Sequence, residues 1–260
     1  MRSPTQYPLA KDVVRWQGEP VAVVVANKRA VAEDALELVE IDYEDLDAQL
    51  DMETAMDKST KVIHDDLGNN LFWTRTVNQG DVIEAFKQSH IVEEVTLDFA
   101  RHTGVTLETR AIVADWDSSE ERMTIYHNGQ APHMMQSIIA KHLNISEGLV
   151  RIISCDVGGS FGIKVHVYPD EMVTVAVSKL LKRPVKFVAD RLESYSTDIH
   201  SRCHKISGKI GVDDKGKILA FEIDDLSGIG PFSVYPRTSA IETNQVLNLS
   251  AASYVVPNYK

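Results

Sequence analysis

Residues 156–164 read DVGGSFGIK, so Gly158, Gly159 and Gly162 fall within five positions, with Ser160 and Phe161 between them. Glycine has no Cβ, so such a backbone reaches φ > 0 and approaches a ligand closely. Successive N–H groups in the turn form a concavity that suits oxyanions or metal-oxo groups. This is not a common nucleotide loop: Lys164 follows Ile163 rather than glycine, so G-x-x-x-x-G-K-[ST] is absent, and G-x-G-x-x-G is absent too. The same glycines also serve a tight strand-to-helix turn by packing alone, and the stretch by itself leaves both readings open.

A second place of interest is Gly129-Gln130-Ala131-Pro132-His133, where a carboxamide precedes an expected helix start. The Gln130 amide both donates and accepts, so it can orient an oxo or hydroxo ligand with help from the helix dipole, or simply bond the local backbone. His133, His166, His200 and His204 raise a metal reading, because His200, Cys203 and His204 stand at i, i+3, i+4. That spacing converges only on a helix, whereas the alternation from Lys205 onward predicts a strand, so no metal ligand is expected in this chain. Cys155 and Cys203 form no C-x-x-C and build neither a zinc site nor an iron–sulfur cluster by themselves. Both are expected to be free, buried thiols. The carboxylates Glu40, Asp42, Glu44, Asp45 and Asp47 read as a solvated face or acidic linker rather than a catalytic pair.

These residues need elements to carry them. Residues 20–26 (PVAVVVA) are a continuous apolar run, residues 28–38 place Val31, Ala35 and Leu38 on one helical face, and residues 39–43 follow as a second strand, a βαβ-like order. Residues 44–66 are acidic and poorly periodic, which puts a domain boundary near residues 57–67. Beyond it the pattern predicts strands at 91–99, 111–117 and 123–127, a helix at 132–143 with Pro132 in its first turn, and a strand at 150–155 leading into the glycine loop. A helix at 169–181 and a strand at 185–189 come next. Residues 205–212 and 217–226 alternate around Asp213-Asp214-Lys215-Gly216, a hairpin signal. The expected architecture is α+β in two domains, residues 1–60 and 61–260, without a repeat.

At 260 residues and 43% hydrophobic content the chain has the material for one large or two small cores. A formal net charge of −11, from 27 Lys+Arg against 38 Asp+Glu, argues against nucleic acid as a partner, since that binding needs clustered cations. The apolar stretches fall far short of the ~20 residues of a bilayer crossing, and the start MRSPTQYPLA has no hydrophobic signal region, so a cytoplasmic protein is expected.

Read in order, several motifs resemble the molybdopterin-binding large subunit of the molybdenum hydroxylases, the family of xanthine dehydrogenase, aldehyde oxidase and aerobic CO dehydrogenase. Residues 14–26 (VRWQGEPVAVVVA) resemble the V-R-[FYW]-x-G-[ED]-P-V-A-x-V-x-A run of its hammerhead domain, and Ala32-Glu33-Asp34-Ala35 continues it. Asp66-Leu67-Gly68-Asn69-Asn70, Gly80-Asp81-Val82, Arg101-His102-Thr103 and Glu108-Thr109-Arg110 follow in the family's order. Gln130-Ala131-Pro132-His133 is similar to the S-T-Q-x-P-H segment, whose glutamine lies beside the apical ligand of molybdenum. Gly158-Gly159-Ser160-Phe161-Gly162 is similar to the G-G-G-F-G turn, which borders the metal and the dithiolene end of the pterin. Ser160 replaces a glycine of that turn. Xanthine-type members carry glutamate after the motif lysine, whereas Val165 follows Lys164 here, so purine hydroxylation is not expected. Residues 162–169 are closest to the CO dehydrogenase-like G-x-K-x-x-x-Y-P pattern, and residues 182–186 with 190–193 fit the family's R-P-V-K…D-R-x-E continuation.

The resemblance implies a partial α/β-hammerhead domain followed by the first molybdopterin-binding α+β domain, truncated at both ends. It implies a cofactor-binding role for Gln130, Gly158, Gly159, Ser160, Phe161 and Gly162, and no catalytic residue in this chain. The cofactor would be molybdopterin, as the cytosine dinucleotide, with molybdenum, held in the complete complex. Partners implied are a chain carrying the missing C-terminal half, an iron–sulfur small subunit and an FAD medium subunit; self-association stays open. The family's active-site loop and its base lie in the missing half, so this chain alone is not expected to be a competent oxidoreductase. The rival reading is a non-catalytic remnant that folds alone, binds no metal and serves as an interaction module.

Overall fold

A computed structural model describes residues 4–260. Along the chain it forms α1 (Arg29–Leu36), α2 (Val82–Gln88), β1 (Ile91–Phe99), β2 (Ala111–Asp117), β3 (Arg122–His127), α3 (Pro132–Leu143), β4 (Val150–Ile153), α4 (Pro169–Leu181), β5 (Val185–Val188), α5 (Arg191–Thr197), β6 (His204–Val212), β7 (Ile218–Ser227), α6 (Ala240–Leu249) and β8 (Asn258–Tyr259). Two compact units result. One holds Thr5–Leu46 and Thr103–Ile199, and the other holds Asp47–His102 and His200–Lys260. The architecture is mixed α+β, as the alternation of patterns predicts.

In the unit that contains the glycine loop, a sheet of order β4-β3-β2-β5 runs parallel between β3 and β4 and antiparallel elsewhere. Side chains alternate across a strand, so Ile112, Ala114 and Trp116 of β2 share the buried face with Met123 and Ile125 of β3. Met135, Ile139 and Ala140 of α3 and Val175 of α4 close the same core. Each fully buried Ile, Val or Met contributes about 1.5–3 kcal/mol relative to exposure. Ser178 on α4 is buried against β2: its hydroxyl accepts the Trp116 N–H at 3.2 Å and lies 3.0 Å from the Ala114 carbonyl.

Two helices of this unit, α3 and α4, have readable ends. Pro132 and Pro169 open α3 and α4, where a missing N–H costs nothing, and Asn144 and Lys182 end them in the left-handed region at φ 54°. These two helices span the ranges the sequence predicts.

The expected βαβ unit at the start forms only in its middle. Its helix is α1, but neither residues 20–26 nor residues 39–43 form a strand. A strand exists by its ladder, and among the described residues neither run forms one with another segment. Val23, Val25, Val39, Ile41 and Tyr43 are exposed as a consequence.

In the other unit the sheet order is β1-β6-β7-β8, antiparallel from β1 to β7 and parallel at β7–β8. The predicted hairpin is β6–β7. Asp213 turns it by accepting the Lys215 and Lys217 N–H groups through Oδ1 at 2.9 and 2.8 Å. Gly216 sits at φ 80°, where a side chain would be strained. Val82 and Ala85 of α2 pack on Ala220 of β7 with Phe86 beside them. The edge strand β1 is exposed along its whole length, including Ile91, Val95, Leu97 and Phe99 on one face. Among the described residues no helix is long and apolar enough to cross a membrane.

Candidate functional site

The two segments singled out by their chemistry meet. After β3 ends at His127, Asn128 pins the turn, accepting the Ala111 N–H through Oδ1 at 2.9 Å and donating to the Thr109 carbonyl at 2.7 Å. Gly129 follows where a Cβ would lie 2.3 Å from the His127 ring, so only glycine fits. The Gln130 N–H then donates to the Lys164 carbonyl at 3.1 Å, just before α3 starts. Its side chain is exposed, and its carboxamide oxygen accepts the Ser160 hydroxyl. Gln130 therefore stands against the middle of the glycine loop.

The loop itself is built from unusual backbone. Gly159, Phe161 and Gly162 take φ of 99°, 49° and 90°. For Phe161, which has a Cβ, the left-handed region costs roughly 1–2 kcal/mol. Its ring is 78% exposed, so burial does not offset that cost. A Cβ on Gly158 would come 2.6 Å from the Cβ of Glu108, which excludes any side chain there without displacement. Ser160 uses its hydroxyl on Gln130. The loop closes with the Ile163 N–H donating to the Ser160 carbonyl at 2.9 Å, and Ile163 and Lys164 are buried directly after it.

Behind the loop lies a buried polar network. Arg110 is 1% exposed and bonds Asp170 with both terminal nitrogens at 2.6 and 2.7 Å, Asp198 at 2.7 Å through Nε, and the Thr197 hydroxyl at 2.8 Å. Its guanidinium carbon stands 3.8 Å from the centre of the Tyr168 ring. Burial acts to lower the Arg110 pKa, but the Asp170 carboxylate outweighs it and the value rises. Glu171 accepts from His127 Nε2 at 2.9 Å and from the Tyr168 N–H at 3.1 Å. Burial pushes the Glu171 carboxyl up, while His127 and Arg110 hold it below the usual carboxylate range. Tyr168 also donates its hydroxyl to the Ile163 carbonyl at 2.9 Å, joining the network to the loop.

The other candidates fall elsewhere. His133 is exposed in the first turn of α3, and His166 is buried after the loop. His204 opens β6 and bonds Asp225 at 2.8 Å through Nδ1, so residues 200–204 present no helical face. Glu40, Asp42, Glu44, Asp45 and Asp47 are exposed. Both cysteines are free, but the expected burial is wrong for Cys155, which is exposed, and Cys203 is only half-buried. The reason for Cys155 is that β4 stops at Ile153, two residues before it, and the core face of the sheet stops with it.

In the sequence Glu108 and Arg110 stand out only as parts of a motif. Their basic and acidic partners lie 56 to 88 positions away. Nothing in the spacing announces those contacts.

A family profile described as the molybdopterin cofactor-binding domain matches residues 63–260. The chain belongs to that family. Residues 1–47 match the aldehyde oxidase and xanthine dehydrogenase a/b hammerhead domain, so a hammerhead portion precedes the cofactor-binding domain. Among relatives, the nicotine 6-hydroxylase large subunit of Paenarthrobacter nicotinovorans is 34% identical over 95% of this chain and 31% of its own length. The carbon monoxide dehydrogenase large chain of Hydrogenophaga pseudoflava is 29% identical over 96% of this chain and 32% of its own length. The crystal structure of quinoline 2-oxidoreductase from Pseudomonas putida 86 superposes with a TM-score of 0.93 at 30% identity, covering 98% of this chain and 32% of that one. The chain thus spans about a third of the length of these molybdenum hydroxylase relatives.

Proposed function

We propose that this chain supplies part of the molybdenum–pterin site of a molybdenum hydroxylase, with Gln130 and residues 158–162 facing the cofactor and another polypeptide segment completing the cradle. The observation that carries the reading is the contact between the Gln130 carboxamide and Ser160, which brings together the two segments that resemble the family's cofactor-facing motifs. The residues suit the group. A side chain at Gly158 would collide with Glu108, while the space beside Gly162 is open, with nothing within 4 Å of where a Cβ would stand. The bare backbone leaves room for a bulky planar ligand.

When bound, the group supplies a two-electron hydroxylation whose oxygen comes from water. This chain's share is orientation. Ser160 donates to the Gln130 oxygen, which leaves the Gln130 Nε2 protons to donate to an acceptor on the cofactor. Phe161 offers an exposed ring beside the same loop. Electrons would leave through an iron–sulfur small subunit and an FAD medium subunit, and the pterin would carry the cytosine dinucleotide. Val165, half-buried and apolar, gives no hydrogen bond to a purine, which favours another substrate: carbon monoxide, an aldehyde or an N-heterocycle.

Two observations support a companion segment. The apolar residues of β1 and of residues 39–43, together with Val23 and Val25, are exposed, a property of surfaces that other protein covers. Family chains also differ in length: the same stretch makes up 58% of the nicotinate dehydrogenase large molybdopterin subunit of Eubacterium barkeri, against 31% of nicotine 6-hydroxylase.

Purification from the native source, with identification of co-purifying chains and molybdenum analysis, tests the proposal. The expected result is a soluble cytoplasmic assembly that contains molybdenum and the family's C-terminal cofactor residues. A chain that emerges alone and without molybdenum would overturn it and leave a folded interaction module in its place.

A further inference from the structure

Lys164 is a buried cation, 2% exposed, in the first turn after the glycine loop. Its two ends serve different segments. The carbonyl accepts the Gln130 N–H at 3.1 Å, and the ammonium donates to Glu108 Oε2 at 2.7 Å. That same carboxylate oxygen accepts the Gly158 N–H at 2.8 Å, while the Glu108 N–H donates to the Gly158 carbonyl at 3.1 Å. Gly158 is therefore gripped on both sides of its backbone by one residue, and that residue is tied to the lysine that holds Gln130.

We propose that Glu108 and Lys164 are positioning residues whose ion pair sets the spacing between Gln130 and residues 158–162. The inference rests on the cofactor reading above. A buried ammonium is costly unless it is paired and hydrogen-bonded, so Lys164 ties the Glu108 carboxylate to one place. Burial acts to raise the Glu108 carboxyl, but the bonds from Lys164 and the Gly158 N–H hold it below its ordinary range, so it stays ionised at neutral pH. The site thereby gains a second tie, through Glu108 and Lys164, between two segments that Ser160 and Gln130 already join. The steric requirement for glycine at 158 follows from the same grip, because the Cβ it lacks would meet the Cβ of Glu108.

The test uses the complete native assembly, with Lys164→Met, Glu108→Gln and Lys164→Arg variants. For each, molybdenum content, kcat and KM per bound molybdenum, thermal stability and the electron paramagnetic resonance signature of the partly reduced metal are measured. Lys164→Met is expected to lower kcat per molybdenum by about tenfold or more, because small misplacements of positioning groups cost up to ~100-fold. KM should stay within about twofold and the resonance signature should change. Lys164→Arg, which keeps the cation, is expected to restore most of the rate and the original signature. If Lys164→Met does not fold, Glu108→Gln carries the same expectation, since it keeps an acceptor for Gly158 and removes the charge. Variants that lose stability or metal loading but keep wild-type kcat per molybdenum and an unchanged signature would overturn the inference while leaving the cofactor reading intact. A wild-type assembly without molybdenum defeats the cofactor reading itself, before any variant is compared.

Discussion

Ser160 donates its hydroxyl to the carboxamide oxygen of Gln130, joining a loop residue to one that lies 30 positions earlier. A net hydrogen bond contributes about 1 kcal/mol, which is roughly fivefold in an equilibrium or a rate. Ser160→Ala is thus expected to lower the turnover of the assembled enzyme by about three- to tenfold, as the amide loses its fixed orientation. Steady-state kinetics beside a thermal melt checks this, and an unchanged kcat would show that the contact does not orient Gln130.

Gln130 precedes α3 but does not cap it, since its side chain is turned to Ser160. Gln130→Ala should therefore lower stability by no more than about 1 kcal/mol, the scale of a helix-start polar group, and lower turnover by a larger factor. Parallel denaturation and kinetic measurements decide it. Equal loss in both would count against a ligand-orienting role.

Gly158→Ala places a methyl group 2.6 Å from the Cβ of Glu108. Overpacking of this kind costs about 1–3 kcal/mol and displaces backbone. The expected outcome is a lower melting temperature together with reduced molybdenum content. Gly162→Ala should meet no neighbour but is strained by its φ of 90°, so its cost is conformational.

Arg110 is the buried centre of the network that joins β2, α4 and the end of α5. Truncation of one partner of a buried ion pair leaves the others uncompensated and costs about 3–5 kcal/mol. Arg110→Met is accordingly expected to cost that much in urea unfolding. A double variant that also removes the Asp170 charge should recover part of the loss.

His204 has its pKa raised above the ordinary histidine value, first by its hydrogen bond to Asp225, against the opposing effect of burial and with help from Glu242. A raised folded-state pKa contributes stability that is fully present below the unfolded value of about 6.5 and is lost as pH rises through the folded value. The urea midpoint of the full chain is expected to carry a component that falls as pH rises above about 6.5. His204→Gln should abolish that component, and an unchanged profile would contradict the assignment.

The sequence by itself determined the family, the run of elements β1-β2-β3-α3-β4-α4-β5, the β6–β7 hairpin and the ends of α3 and α4, because these depend on local chemistry. A proline that suits a first turn, an alternation of period two and a three-glycine turn act within a few residues. Its failures have the same origin. Residues 20–26 and 39–43 carry the apolar content of strands, yet strand formation depends on a partner, and pairing is not a local property. Cys155 has the composition of a buried position, but the end of β4 decides its exposure. Glu108, Lys164 and Arg110 were visible only as members of motifs. The ion pair from Glu108 to Lys164 spans 56 positions, and the bond from Arg110 to Asp198 spans 88. Contacts of that span are set when helices and sheet pack, because packing chooses which distant charges share a desolvated space and must therefore pair. Tertiary structure alone brought Gln130 to Ser160 and gave the glycine loop its anchor.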